Sequence, residues 1–199
     1  MLDTLVIASS NKGKIAEISA LLTPYPITLN TQDELGIVGA EEPYATFFEN
    51  ALAKARHTAK ESGKPALADD SGLVVPALAN APGVYSARYA GANATDPQNN
   101  AKLLTAMTAV TQRQAFYYAA MVLVMHAHDP APIFAEGYWH GEIAEHPRGE
   151  NGFGYDPLFY DPRIAKTGAE MQREEKQRVS HRGQSLRRLL RLMQLRRLL

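Results

Sequence analysis

The chain contains no cysteine, which excludes disulfides, thiolate metal sites and cysteine nucleophiles and fits a reducing compartment, with the cytoplasm as the default. It also lacks an excess of charge. Lys plus Arg number 21 and Asp plus Glu number 21, so no global field draws the chain to nucleic acid or to an acidic membrane, and any basic site must be local. Long apolar runs are missing as well. Leu5 to Ala8 is too short for a signal peptide and has no basic flank, while Ala115 to Met125 is broken by tyrosines and too short to span a bilayer as a helix. The Walker A pattern is absent. What is present is 199 residues with 45% hydrophobic content, enough to bury a core, and the length favours one domain or two small lobes.

The hydrophobic pattern alternates between strand and helix. Leu5 to Ala8 reads as a buried strand, followed by the polar turn Ser9-Ser10-Asn11-Lys12-Gly13-Lys14 and a helix with Ile15, Ile18, Leu21 and Leu22 on one face. A second strand is expected at Ile27 to Asn30 and a helix at Thr46 to Ser62, closed by Gly63 and Pro65. Ala66 to Ala68 then enters an acidic turn, Asp69-Asp70-Ser71-Gly72, from which Leu73 to Val75 leaves as another strand. Ala79 to Pro97 reads mostly as loop, Gln98 to Ala109 as helix, and Ala115 to His126 with Ile133 to Ile143 as a long antiparallel hairpin. A short strand at Leu158 to Tyr160 and a helix from Ser180 to the end complete a mixed α/β unit.

Several polar groups are candidates for chemistry. Two carboxylates and a hydroxyl at the end of a strand suit magnesium, which takes hard oxygen ligands, although an Asp-rich turn can equally cap the next element. Glu41 and Glu42 precede a helix that presents Asn50 and Lys54 on one face, where they either complete a metal and phosphate site or lie in solvent. The Ser9 to Lys14 turn offers backbone N–H groups, hydroxyls and lysines to a polyphosphate, or is an ordinary capped turn. In Glu150 to Pro157, glycines allow close backbone approach and an aromatic ring can stack on a base. Lys176, His181 and Arg182 supply donors near the start of the last helix. His126 and His128 would share a strand face, but without a third ligand they read as exposed histidines. From Lys176 onward there are eight basic residues and no acid, yet Leu186, Leu189, Leu190 and Met193 form an apolar stripe that predicts a docked helix.

The motifs occur in a telling order: S-S-N-x-G-K, E-N-A-L-x-K-A, A-D-D-S-G-L, A-P-G-V-Y-S-A-R-Y, G-F-G-Y-D-P and E-E-K-x-x-x-S-H-R-G. In this combination the sequence resembles the inosine/xanthosine triphosphate pyrophosphatase family over roughly Leu5 to Leu190. The resemblance implies an α/β fold with a long twisted mixed β-sheet flanked by helices, and two lobes of a single domain (1–199) around a central nucleotide-binding cleft. It implies a homodimer with Mg²⁺ as cofactor, hydrolysing dITP, ITP and XTP-type triphosphates to the monophosphate and pyrophosphate, with neither nucleic acid nor membrane as partner. Carried onto matching positions, Asp70 is the catalytic residue and a metal ligand, with Glu42 as second carboxylate. Ser9, Ser10, Asn11, Lys14, Lys54 and Ser71 fall to the phosphates, and Phe153, Gly154, Tyr155, Asp156, Lys176, His181 and Arg182 to the nucleotide. The family usually has Thr-Gly-Asn where this chain has Ser9-Ser10-Asn11, so Ser10 replaces a glycine. Two alternatives stand beside this reading: a pyrophosphatase of other modified or pyrimidine nucleotides, and a non-catalytic nucleotide- or RNA-binding module using the basic C-terminal helix.

Overall fold

The computed structural model describes residues 2–199. In chain order the elements are β1 (Thr4–Ile7), α1 (Lys12–Leu22), β2 (Thr28–Thr31), α2 (Phe47–Ser62), β3 (Ala66–Val74), α3 (Asp96–Ala106), β4 (Gln114–Val124), β5 (Ile133–Ile143), β6 (Phe159–Asp161), β7 (Lys166–Thr167), α4 (Arg173–Val179) and α5 (His181–Leu195). Short 3₁₀ turns occupy Pro76–Leu78, Gly83–Arg88 and Gly168–Glu170. The strands form one seven-stranded sheet in the order β2-β1-β3-β4-β5-β6-β7. It is mixed, since β1 runs parallel to β2 and β3 while β6 is antiparallel to β5 and β7. Among the described residues, no helix is long and apolar enough to cross a membrane.

Helix ends follow local chemistry. The Asn11 side chain accepts the Lys14 N–H at the start of α1, and Thr46 accepts the Glu49 N–H at the start of α2. Gly63, at φ 65°, closes α2 in the left-handed conformation that glycine adopts without a Cβ penalty. Helix α3 starts earlier than its apolar pattern suggests because Thr95 and Gln98 form a reciprocal capping box ahead of it.

The chain divides into two compact units. Unit 1 comprises Met1–Asp70, Ala119–Gly137 and Arg182–Leu199; unit 2 comprises Ser71–Tyr118 and Tyr138–His181. Each has its own apolar core. In unit 1, Leu5 and Ile7 of β1, Ile18 and Leu22 of α1 and Met121 of β4 pack with Leu186, Leu189, Leu190 and Met193. The apolar stripe of α5 is therefore buried, as its spacing predicts. Arg188 of α5 and Arg196 just beyond its end turn back onto the fold, donating to the Glu136 carbonyl at 2.7 Å and to the Ala131 carbonyl at 2.6 Å. In unit 2, Leu73, Leu103, Tyr117, Trp139, Tyr155 and Phe159 belong to the second core.

Three expectations need correction. Asp69-Asp70-Ser71-Gly72 is not a turn but the middle of the continuous strand β3, buried along most of its length. Strand β4 ends at Val124, so His126 and His128 lie in the connection to β5 and do not share a strand face. The helix expected from Ser180 to the end is α5, which stops at Leu195 short of the last residues, and Ser180, with extended backbone (φ −66°, ψ 156°), separates it from the unforeseen α4.

Candidate active site

In unit 1 the strand β3 delivers two consecutive carboxylates into different company. Asp69 is fully buried and meets Lys14 Nζ at 3.0 Å and the Arg182 guanidinium at 3.4 Å. Burial pushes its carboxyl up, but Arg182 and Lys14 more than offset this and hold it well below the usual carboxylate range. Arg182 reaches Glu17 as well, at 2.6 Å. Burial lowers the Arg182 pKa, yet Asp69 and Glu17 raise it further, so the guanidinium stays charged.

Asp70 faces Lys54, whose ammonium lies 3.2 Å from its Oδ1, 2.7 Å from Glu42 and 3.0 Å from the Asp69 carbonyl. Here burial prevails: it raises the Asp70 pKa beyond what Lys54 and Lys14 can offset, and Glu42 adds to the rise. Burial lowers the Lys54 pKa, but Asp70 and Glu42 overcome it and keep the ammonium charged. Glu42 sits in a segment with no helix or strand, and Asn50 of α2 pins that segment by accepting the Tyr44 N–H at 3.0 Å and donating to its carbonyl at 3.1 Å. One helix thus supplies Lys54 and fixes the stretch that carries Glu42.

The second oxygen of Asp70, Oδ2, is buried and meets no hydrogen-bond donor among the described residues. A buried carboxylate oxygen in that state is costly to keep unless something else binds it. A divalent cation of the magnesium type fits here, because it takes one or two carboxylates and completes its shell with water and phosphate oxygens. The protein offers Asp70 and Glu42 for it. No cluster of three or more His, Asp or Glu side chains suited to a metal occurs among the described residues.

The turn at Ser9 to Lys14 is ordered by side chains within it and by Gln32 and Asp33 after β2. Ser9 Oγ accepts the Asn11 N–H at 3.2 Å, and Ser10 Oγ donates to Asp33 at 2.7 Å and accepts from Gln32 at 2.9 Å. Ser10 is not at positive φ, so the glycine usual at this position is not needed for the turn. Ser71 follows Asp70 on β3 and is half-buried.

In unit 2 the loop 149–157 is organised from within. Asp156, 2% exposed, accepts the Phe153 N–H at 2.8 Å and Lys176 Nζ at 2.5 Å. Gly152 has φ 76°, and a Cβ there would run into the Asp156 carboxylate, so glycine is required on both counts. Lys176 Nζ also lies 4.8 Å from the centre of the Phe153 ring. Asp96 accepts the Gly154 N–H at 2.6 Å and Asn100 donates to its carbonyl at 2.8 Å. Tyr155 is buried, donates to the Ser86 carbonyl at 2.8 Å, and gives its N–H to the Tyr117 hydroxyl at 3.1 Å. Burial pushes its own phenol pKa up. The Tyr117 ring stacks on His181 at 4.6 Å and 7°.

The predicted residues thus gather into two groups, one per unit. Lys14, Glu42, Lys54, Asp69, Asp70 and Arg182 belong to unit 1, and Phe153, Gly154, Tyr155, Asp156, Lys176 and His181 to unit 2. The chain passes between units inside two of the motifs, at Asp70-Ser71 and at His181-Arg182. Sequence reasoning missed Glu17, Asp96, Asn100 and Tyr117. Spacing could have found the first three: Glu17 is one helical turn from Lys14, and Asp96 and Asn100 are four apart.

Mixed-sheet architecture and a buried carboxylate–ammonium centre define an α/β protein with a charged polar site at β3. The Ham1 family model matches residues 5–192, and the chain belongs to that family. A protein of Nitrosomonas europaea named dITP/XTP pyrophosphatase is 52% identical over 192 residues, covering 96% of this chain and 95% of that protein. The solved structure of a HAM1 protein from Coxiella burnetii superposes with a TM-score of 0.91 at 47% identity, covering 98% of this chain and 99% of that one. The crystal structure of a nucleoside-triphosphatase / dITP/XTP pyrophosphatase from Mycobacterium abscessus gives 0.76 at 40% identity, over 94% and 98% of the respective chains.

Proposed function

We propose that this chain hydrolyses non-standard purine nucleoside triphosphates, dITP, ITP and the XTP type, to the monophosphate and pyrophosphate, acting in the cytoplasm as one domain and as a homodimer. The observation that carries the reading is Asp70: a buried carboxylate with raised pKa and an open oxygen, set between the ammonium of Lys54 and the carboxylate of Glu42. The names of the Nitrosomonas europaea and Mycobacterium abscessus proteins support it.

Asp70 and Glu42 would hold Mg²⁺, which when bound supplies charge neutralisation at the phosphate oxygens and polarises water. Asp70 would orient the attacking water and accept its proton while helping to hold the cation beside Glu42. The new bond forms between water oxygen and the α-phosphorus while the bond to the bridging oxygen breaks. Lys14 and Lys54 offset charge on the departing pyrophosphate, with Ser9, Ser10, Asn11 and Ser71 as further phosphate contacts. Asp69 stays ionised against Lys14 and Arg182 and fixes both cations in place.

The base falls to the second group. Phe153 stacks on it, and His181 and Lys176 supply donors that favour the 6-oxo acceptor of hypoxanthine and xanthine over the 6-amino group of adenine, whereas Arg182, expected in this role, is held by Asp69 and Glu17 in the first group. Gly154, Tyr155 and Asp156 set the loop that presents Phe153. The RNA-binding alternative gains no support from α5, whose apolar stripe is buried. Pyrophosphate release measured over a panel of purine and pyrimidine triphosphates, with and without EDTA, tests the proposal. It expects ITP and XTP well above ATP and loss of activity in EDTA; equal efficiency on ATP and ITP, or EDTA-resistant turnover, would overturn it.

A further inference from the structure

Unit 1 carries a second concentration of positive charge that this reaction leaves unused. Arg56, His57 and Lys60 of α2, with His128, Asp129 and Pro130 of the β4–β5 connection, line a surface cavity of about 420 Å³. Arg56 is two residues beyond Lys54 on the helix, so the two side chains leave on different faces. The acid in the cavity wall is turned to other work: Asp129 is 4% exposed, and its two oxygens accept the Met125 N–H at 2.9 Å and the Ala131 N–H at 2.8 Å. Despite burial, those bonds hold its carboxyl below the usual range, so it offsets one positive charge and leaves the lining net positive. Arg56 makes one long donation, 3.5 Å to the Asp129 carbonyl, and Lys60 has no hydrogen bond or ion pair among the described residues.

A guanidinium, an ammonium and the His128 imidazole around one concavity, against a single carboxylate turned to backbone donors, match the acceptor oxygens of a phosphate group better than the two of a carboxylate, while His57 Nε2 is committed to the Val38 carbonyl at 2.8 Å. Arginine forms paired bonds to phosphate, lysine adds a point charge, and imidazole N–H groups donate. The volume lies within the range of small-molecule sites, roughly 300 to 1,000 Å³. We propose that this cavity is a second anion site, separate from the Asp70 centre, which binds the phosphate group of a small molecule.

Titration calorimetry of the full chain with inorganic pyrophosphate tests it, using the double variant Arg56→Ala/Lys60→Ala. Both side chains are exposed, so the fold should survive, as circular dichroism would verify. The variant is expected to lose one binding site per chain, weakened about ten-fold or more, since a charge-assisted hydrogen bond is worth about that factor, while releasing pyrophosphate from ITP at the wild-type rate. His128→Ala, on the opposite wall, should weaken the same site about three-fold, the effect of one neutral donor. Lys54→Ala should leave that site intact. Wild-type pyrophosphate binding in the double variant, or loss of all binding in Lys54→Ala, would overturn the proposal, whatever the outcome for the hydrolysis itself.

Discussion

Asp69 and Asp70 are consecutive residues of one strand, yet their surroundings drive them in opposite directions. Asp69 faces Lys14 and Arg182 and is held ionised below the usual carboxylate range; Asp70 shares one lysine with Glu42, keeps a buried oxygen without a donor, and is pushed up by burial. The pair teaches a division of labour. One carboxylate is charge-balanced by two cations of the protein and serves its structure, while the other must share its single lysine with a second carboxylate and is left short of positive charge that a ligand can supply.

The largest expected effect separates them by activity. Asp70→Asn should lower kcat for ITP by about 10² to 10⁴, the usual share of a positioned general base, with the unfolding midpoint in urea unchanged or raised. Asp69→Asn should do the reverse in stability, costing about 3 kcal/mol because it leaves Lys14 without its buried counter-charge and Arg182 with Glu17 alone; urea denaturation measures it, and a loss under 1 kcal/mol would erase the contrast.

Acid titration sharpens the same comparison. A carboxyl with depressed folded pKa stabilises above its unfolded pKa of about 3.9 and loses that contribution as pH falls through the folded value. A carboxyl with raised folded pKa does the opposite, opposing the fold progressively as pH rises from about 3.9 through the folded value. The stability gap between wild type and Asp69→Asn should therefore shrink below about pH 4, while any gain from Asp70→Asn should grow above it. Urea curves between pH 3 and 7 would show both trends, and parallel pH profiles for the two variants would refute the assignment. The smallest effect is expected at Asn50→Ala, which frees the segment carrying Glu42: half-saturating Mg²⁺ should rise about five-fold, the equivalent of one lost hydrogen bond, with kcat nearly unchanged.

Much of this was legible in the sequence where local chemistry decides. Strand β5 runs from Ile133 to Ile143 as its pattern predicts, α2 ends at Gly63, and the Leu186 to Met193 stripe docks into the core. The centre was legible as a set of residues but not as a shape. Two aspartates, a serine and a glycine read as a turn because acids disfavour buried strands; what permits the strand is Arg182, 113 residues away, together with Lys14. Likewise nothing near Gly154 announces that Asp96 and Asn100 hold it from a helix more than 50 residues upstream. The polarity of a site is written locally, whereas the counter-charges that make it foldable come from distant segments.

The most direct test of the account is a single turnover of ITP with Mg²⁺ and excess enzyme in ¹⁸O-water, read by mass spectrometry. Water oriented by Asp70 and attacking the α-phosphorus predicts one ¹⁸O in the monophosphate and none in pyrophosphate on that first turnover. Label in the pyrophosphate, or an unlabelled monophosphate whose oxygen came from the Asp70 carboxylate, would contradict it.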